Sequence, residues 1–161
     1  MTQSHRAPYT LLYHLYRASQ AARQFMRASM RDADLSGDEY GFFSFLYVNG
    51  PQPMTAIARE FDLPVTTVAG ILAGAIERGE LTRQSTLRDA RLRPLALTES
   101  GLRRHAAAMA IYHTAYDELE RRLLEAGMDV PALAAELDEL TAIVREMNGV
   151  LRERARQEPP E

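Results

Sequence analysis

The chain has 161 residues, 46% hydrophobic and 25% charged, with a formal net charge of −3. That is enough for one domain with a real core, and no run of eighteen apolar residues offers a membrane span. Cysteine is absent, which excludes disulfides, thiolate metal sites and thiol redox sensing.

Residues 1–8 carry no apolar signal core, so we expect a flexible end and a cytoplasmic protein. A first helix is predicted over 9–32, where Leu11, Leu15, Ala18, Ala22, Phe25, Met26 and Met30 recur every three to four residues. Ser36 and Glu39 have the S-x-x-E spacing of a capping box, so a second helix starts near 37, and Asn49-Gly50-Pro51 stops it. A short third helix covers 54–61. A fourth runs from 64 to 78, with Pro64 at its first position and Gly79 as its cap. Residues 80–86 and 92–97 alternate apolar and polar side chains and read as two strands. Pro94 cannot donate to a ladder and needs an open edge or a bulge. Thr98 caps a fifth helix over 99–126, with a stripe of Leu102, Ala106, Met109, His113, Tyr116, Leu119 and Leu123. The sixth helix, 130–155, carries Leu133, Leu137, Leu140, Val144, Met147 and Leu151, spaced as in a coiled-coil seam. The last residues, 156–161, are expected to be flexible.

Charge is unevenly placed. Residues 1–33 hold five arginines against Asp32 alone, and 83–93 hold four against Asp89. Residues 113–161 hold twelve acids against six arginines. A negative total therefore leaves room for an anionic partner, because the local field decides. All 19 basic residues are arginine, spread along the chain, which we read as codon bias.

The fold class expected is mostly α with a small β-wing. Residues 35–98 form a winged helix-turn-helix by pattern, flanked by helical segments 9–34 and 99–155. A helix of nearly thirty residues is ~40 Å long. Its seam needs another surface, and a second copy of the chain is the simplest supplier.

The sequence resembles the MarR family of bacterial regulators over about residues 9–150. The most specific match is D-x-R, a spacer, then L-T-x-x-G: here Asp89-Ala90-Arg91 and Leu97-Thr98-Glu99-Ser100-Gly101. "GPQPMTAIAREFDL", Thr66-Thr67-Val68 and Arg78-Gly79 support it in order and spacing. The resemblance implies a homodimer with two winged helix-turn-helix lobes, joined by a helical dimerisation domain built from 9–34 and 99–155. It implies a regulator of transcription, commonly a repressor, released from double-stranded operator DNA by a small, often aromatic ligand. The fourth helix would enter the major groove, with Thr66 and Thr67 at its start. The wing would reach the minor groove, with Arg91 inserted, Asp89 holding it, and Arg88 and Arg93 near phosphates.

One departure is plain. Where the family carries polar or basic side chains on the fourth helix, this chain has Ala69-Gly70 and Ala73-Gly74. Close backbone approach to DNA, packing on another protein, and weakened base readout all account for that face. A winged-helix interaction module with weak or lost sequence-specific DNA binding is therefore the rival reading.

The aromatic residues Tyr13, Tyr16, Tyr47 and Tyr112, with His113, are the candidate lining of a ligand pocket, set against ordinary core packing. His113 falls on the apolar stripe and reads as a hydrogen-bonded core histidine. No His or carboxylate spacing suits a metal, no cofactor motif is present, and no nucleophile or phosphate-loop motif points to an enzyme.

Overall fold

The computed structural model describes residues 10–84 and 93–157. They form six helices and one two-stranded antiparallel sheet: α1 (Leu11–Ser29), α2 (Gly37–Asn49), α3 (Met54–Glu60), α4 (Val65–Glu77), β1 (Leu81–Arg83), β2 (Leu95–Leu97), α5 (Glu99–Glu125) and α6 (Val130–Gln157). The fold is a winged helix with long terminal helices. The chain divides into two compact units, residues 1–115 and 116–161, with the boundary inside α5.

The start of α2 follows from its sequence. Ser36 Oγ accepts from Glu39 N at 3.2 Å, and Ser36 N donates to Glu39 Oε2 at 3.0 Å. This reciprocal capping box satisfies two donors that a helix start leaves open. Tyr40, Phe42, Phe43 and Leu46 are buried, so α2 is enclosed on several sides, and with Ile57, Val68, Leu72 and Leu95 it makes the core of the first unit.

The helix-turn-helix is α3 and α4. Asp62 turns the chain with φ of 51°, and Leu63 N donates to Ala58 O at 2.9 Å. Pro64 is the residue before the first helical one, a position earlier than the sequence pattern suggested. At the far end Gly79 takes φ of 69°. Gly79 N donates to Ile76 O at 3.0 Å and Glu80 N to Ala75 O at 2.9 Å, the pair of bonds that closes a helix on a left-handed glycine.

The strands are shorter than the predicted 80–86 and 92–97. Leu81, Thr82 and Arg83 pair with Leu97, Ala96 and Leu95. Leu95 also exchanges hydrogen bonds with Gln52 on its other side, at 3.0 and 2.8 Å. The buried Pro94 lies just before β2, where its carbonyl accepts from Gln84 N at 2.9 Å and no donor is needed from it.

The inward face of α5 keeps Met109 of the predicted stripe but departs from it by one residue at Leu102, Ala106 and His113. Gly101, His105 and Ala108 are buried and Tyr112 packs on the core, whereas Leu102 and His113 are exposed. The core histidine is thus His105, not His113. The physical reason is the close approach of backbones at the start of α5. There Thr98 Oγ1 donates to Gly79 O at 2.7 Å, and Gly101 N donates to Thr98 Oγ1 at 3.2 Å. At that point of contact only glycine fits, so Gly101 faces inward and Leu102 is turned outward.

In the second unit, Gly127 closes α5 with the same bond pair as Gly79: Gly127 N to Leu124 O at 2.9 Å and Met128 N to Leu123 O at 3.0 Å. Asp129 Oδ1 then accepts from Ala132 N at 3.0 Å and starts α6. Leu133, Leu137, Met147 and Leu151 are exposed along α6, with Leu140 and Val144 half-buried. Among the described residues no helix is long and apolar enough to cross a membrane.

Candidate nucleic-acid interface

The helix α4 buries Val68, Leu72 and Ala75. The opposite side is therefore fixed outward. Thr66, Gly70, Ala73 and Glu77 follow one another at i, i+4, i+7 and i+11, all exposed, with Val65 and Thr67 exposed beside them at the start. The sequence-named pair Thr66 and Thr67 thus stands on the open face of the second helix of the motif. The two glycines differ. A β-carbon on Gly70 would meet nothing within 4 Å, so the fold does not require glycine there. A β-carbon on Gly74 would lie 2.8 Å from Arg78 Nη1, whose guanidinium folds back over it.

Arg78 belongs to an ionic node centred on the buried carboxylate of Glu80. Its Nε and Nη2 donate to the two oxygens of Glu80, each at 3.0 Å, and Nη2 also donates to Glu39 Oε1 at 3.1 Å. Arg104 of α5 donates to Glu80 Oε1 and to the carbonyl of Asp34. The Glu80 side chain is only 6% exposed. Burial alone would raise its pKa, but hydrogen bonds from Arg78 and Arg104 outweigh that and hold the carboxyl below its ordinary value. One carboxylate thereby ties together the end of α4, the start of β1, the first turns of α5, the start of α2 through Glu39, and the segment after α1. These are the elements that set the pose of α4 and of the wing base. Nothing in the pattern "RGELT" marks Glu80 as buried; its only signal is that it follows the left-handed Gly79, where the chain turns back into the core.

At the wing base, Arg83 and Arg93 are exposed, and Arg59 is exposed on α3. Arg93 takes φ of 25°, an uncommon conformation for a residue with a β-carbon. The remaining sequence-named wing residues, Arg88, Asp89 and Arg91, lie outside the described residues.

Behind α2 the aromatic residues gather around His105. Its Nε2 lies 3.0 Å from Ser44 Oγ. The ring stacks on Tyr40 at 5.4 Å between centroids and packs against Tyr47 at 5.0 Å; Tyr40 in turn packs on Tyr112 at 5.2 Å. His105 Nδ1 is buried without a hydrogen-bond partner among the described residues. Burial lowers the imidazole pKa, because the charged form would lose its water. Of the five sequence-named ligand residues, Tyr47 and Tyr112 join this cluster. Tyr13 and Tyr16 stand exposed on α1, where Arg17 lies 5.9 Å over the Tyr13 ring. His113 points outward. A cavity of 280 Å³ opens beside the cluster, lined by Leu46, Tyr47, Gln84, Ala96, Leu97 and Leu102 among others. Sequence reasoning missed Tyr40, Ser44 and His105 as a group; the i, i+4 spacing of Tyr40 and Ser44 was the available signal. Among the described residues no group of three or more His, Asp or Glu side chains could hold a metal.

An exposed second helix of a helix-turn-helix, beside a two-stranded wing with arginines at its base, defines a winged-helix fold. No family model and no curated protein matches the chain. Solved structures do. A transcriptional repressor, CouR, bound to a 23-mer DNA duplex is 24% identical with a TM-score of 0.66, over 84% of this chain and 92% of that one. MepR of S. aureus, in a DNA complex, is 18% identical with a TM-score of 0.66, over 86% and 96%. A MarR-family transcriptional regulator from Rhodococcus sp. RHA1 is 19% identical with a TM-score of 0.66, over 83% and 92%. At these identities the likeness establishes the fold, which is that of the MarR-type winged-helix regulators.

Proposed function

We propose that the chain is a DNA-binding transcriptional regulator that works in the cytoplasm as a homodimer and represses until a small ligand releases it. The observation that carries this reading is the geometry of α4: its core side is fixed by Val68, Leu72 and Ala75, so its other face stands free beside the wing. The fold is shared with CouR, solved on a DNA duplex, and with MepR, solved in a DNA complex. Thr66 and Thr67 would meet base edges, Arg93 and Arg88 phosphates, and Arg91, oriented by Asp89, the minor groove.

Dimerisation is assigned to 9–34 and 99–155. The support is the exposed seam of α6 and the exposed Leu11, Leu12 and Tyr16 of α1, apolar surface that a lone chain leaves in water. The ligand site is assigned to the aromatic residues Tyr13, Tyr16, Tyr47, Tyr112 and His113, with Tyr47 at the 280 Å³ cavity as its firmest member. CouR, of the same fold, has been solved with p-coumaroyl-CoA bound, and an aromatic acyl group is the kind of ligand such a lining suits.

The test is a fluorescence titration against duplex DNA from upstream of the protein's own gene, across a salt series. Binding should weaken by orders of magnitude between low and moderate salt, since phosphate contacts release counterions. A second reading is favoured by one observation: α4 carries no Arg, Lys, Asn or Gln on its open face. Should no duplex bind even at low salt, that face serves a protein partner instead.

A further inference from the structure

The outward line of α4 has an unusual chemistry for a helix assigned to the major groove. Base pairs are told apart there by hydrogen bonds from Arg, Lys, Asn, Gln, Asp or Glu, or by apolar contact with the C5-methyl of thymine. From Val65 to Ile76 the helix contains none of those six side chains, and its only charged residue is Glu77 at the last position. Arg78, just beyond, is occupied by Glu39 and Glu80. Hydroxyls such as those of Thr66 and Thr67 accept either partner at a base edge and discriminate little. What the face does offer is methyl groups, from Val65, Thr66, Thr67 and Ala73, all exposed. Gly70 lies in the middle of them with open space around its Cα, so nothing on that line holds the helix away from a groove floor.

We infer that α4 reads thymine, an inference that rests on the DNA-binding reading of this helix. Val65, Thr66, Thr67 and Ala73 make apolar contacts with thymine C5-methyl groups, and Gly70 lets the helix come close enough for those short side chains to reach. These residues determine specificity, and the operator is marked in its half-sites by thymines rather than by guanines. Removing one methyl from a buried apolar contact weakens binding about fourfold.

The experiment uses the full chain. Duplexes are selected from a random pool, and each thymine of a selected duplex is replaced by deoxyuridine, which pairs identically and lacks only the methyl. Binding should weaken about fourfold at each contacted thymine, in clusters repeated in both half-sites. Thr67→Ser, which keeps the hydroxyl and removes the methyl from an exposed position, should bind the thymine duplex more weakly and lose its sensitivity to deoxyuridine at one position per half-site. Gly70→Leu, tolerated by the open space, should bind weakly while its thermal melt stays near wild type. A selected duplex whose affinity is unchanged when all its half-site thymines become uracils, or half-sites fixed by guanines, overturns the inference while leaving DNA binding intact. Failure to select any duplex overturns the DNA-binding reading itself, and this inference with it.

Discussion

A β-carbon placed on Gly101 would lie 2.2 Å from the carbonyl oxygen of Glu80, and 3.1 Å from Leu97 Cδ2. The first turn of α5 and the start of β1 meet there backbone to backbone, locked by Thr98. Gly101→Ala should therefore destabilise the protein by about 2–3 kcal/mol through overpacking, although alanine favours a helix by about 1 kcal/mol. A urea midpoint that stays level or rises would show that propensity dominates.

The Glu80 node should give the protein an acid-sensitive limb. A carboxyl whose folded pKa lies below its unfolded value of about 4.3 contributes stability that is present above that value and lost as pH falls through the folded pKa. Glu80→Gln leaves Arg104 and Arg78 facing a neutral partner. We expect a loss of about 2–3 kcal/mol at pH 7, below the range for a fully enclosed pair because Arg78 is 44% exposed, and a flatter curve between pH 5 and about 3. Thermal melts over that range check both.

His105 works in a different window. Its folded pKa is depressed, so the unfolded chain binds the extra proton more readily and stability falls as pH drops below about 6.5. His105→Leu should remove that slope between pH 6.5 and 5.

The wing prediction concerns Arg91, beyond the described residues. Arg91→Ala should leave the melt unchanged and weaken DNA binding by ~1–3 kcal/mol per wing. Arg91→Lys should recover part, because lysine keeps charge without the planar fork. Asp89→Ala should cost less than Arg91→Ala. If Arg91→Ala binds like wild type, the wing does not insert.

Dimerisation predicts a melting temperature that rises with protein concentration. Leu137→Glu, on the exposed seam of α6, should convert the protein to a monomer in sedimentation and abolish that dependence. A wild-type melt independent of concentration over two decades, with a monomer mass, would refute the assignment.

Much of the architecture could be read from local chemistry. The Ser36–Glu39 box, Pro64 and the left-handed Gly79 each impose a geometry that hardly depends on the rest of the molecule. The face of α5 could not, because apolar bulk is a poor guide where two backbones touch: Leu102 was turned outward so that Gly101 could turn inward. Glu80 was hidden for a related reason. Its burial depends on Arg104, twenty-four positions away, and no local pattern encodes such a pair. Of the candidate interface, Thr66 and Thr67 were named from the family pattern, and Val68 and Leu72, which fix the inward side of α4, account for their exposure. The ring cluster of Tyr40, Tyr47 and His105 was not, since it joins two helices through stacking that periodicity does not see.

That cluster has an optical consequence. The chain contains seven tyrosines and no tryptophan, so tyrosine dominates its near-ultraviolet emission. Three of the seven, Tyr40, Tyr47 and Tyr112, are arranged around or next to one imidazole, and Tyr47 also lines the 280 Å³ cavity. An imidazolium quenches a neighbouring excited phenol, and an aromatic guest against Tyr47 would exchange energy with it. The unlabelled protein thus carries its own fluorophore at the lining of the cavity proposed as the ligand site.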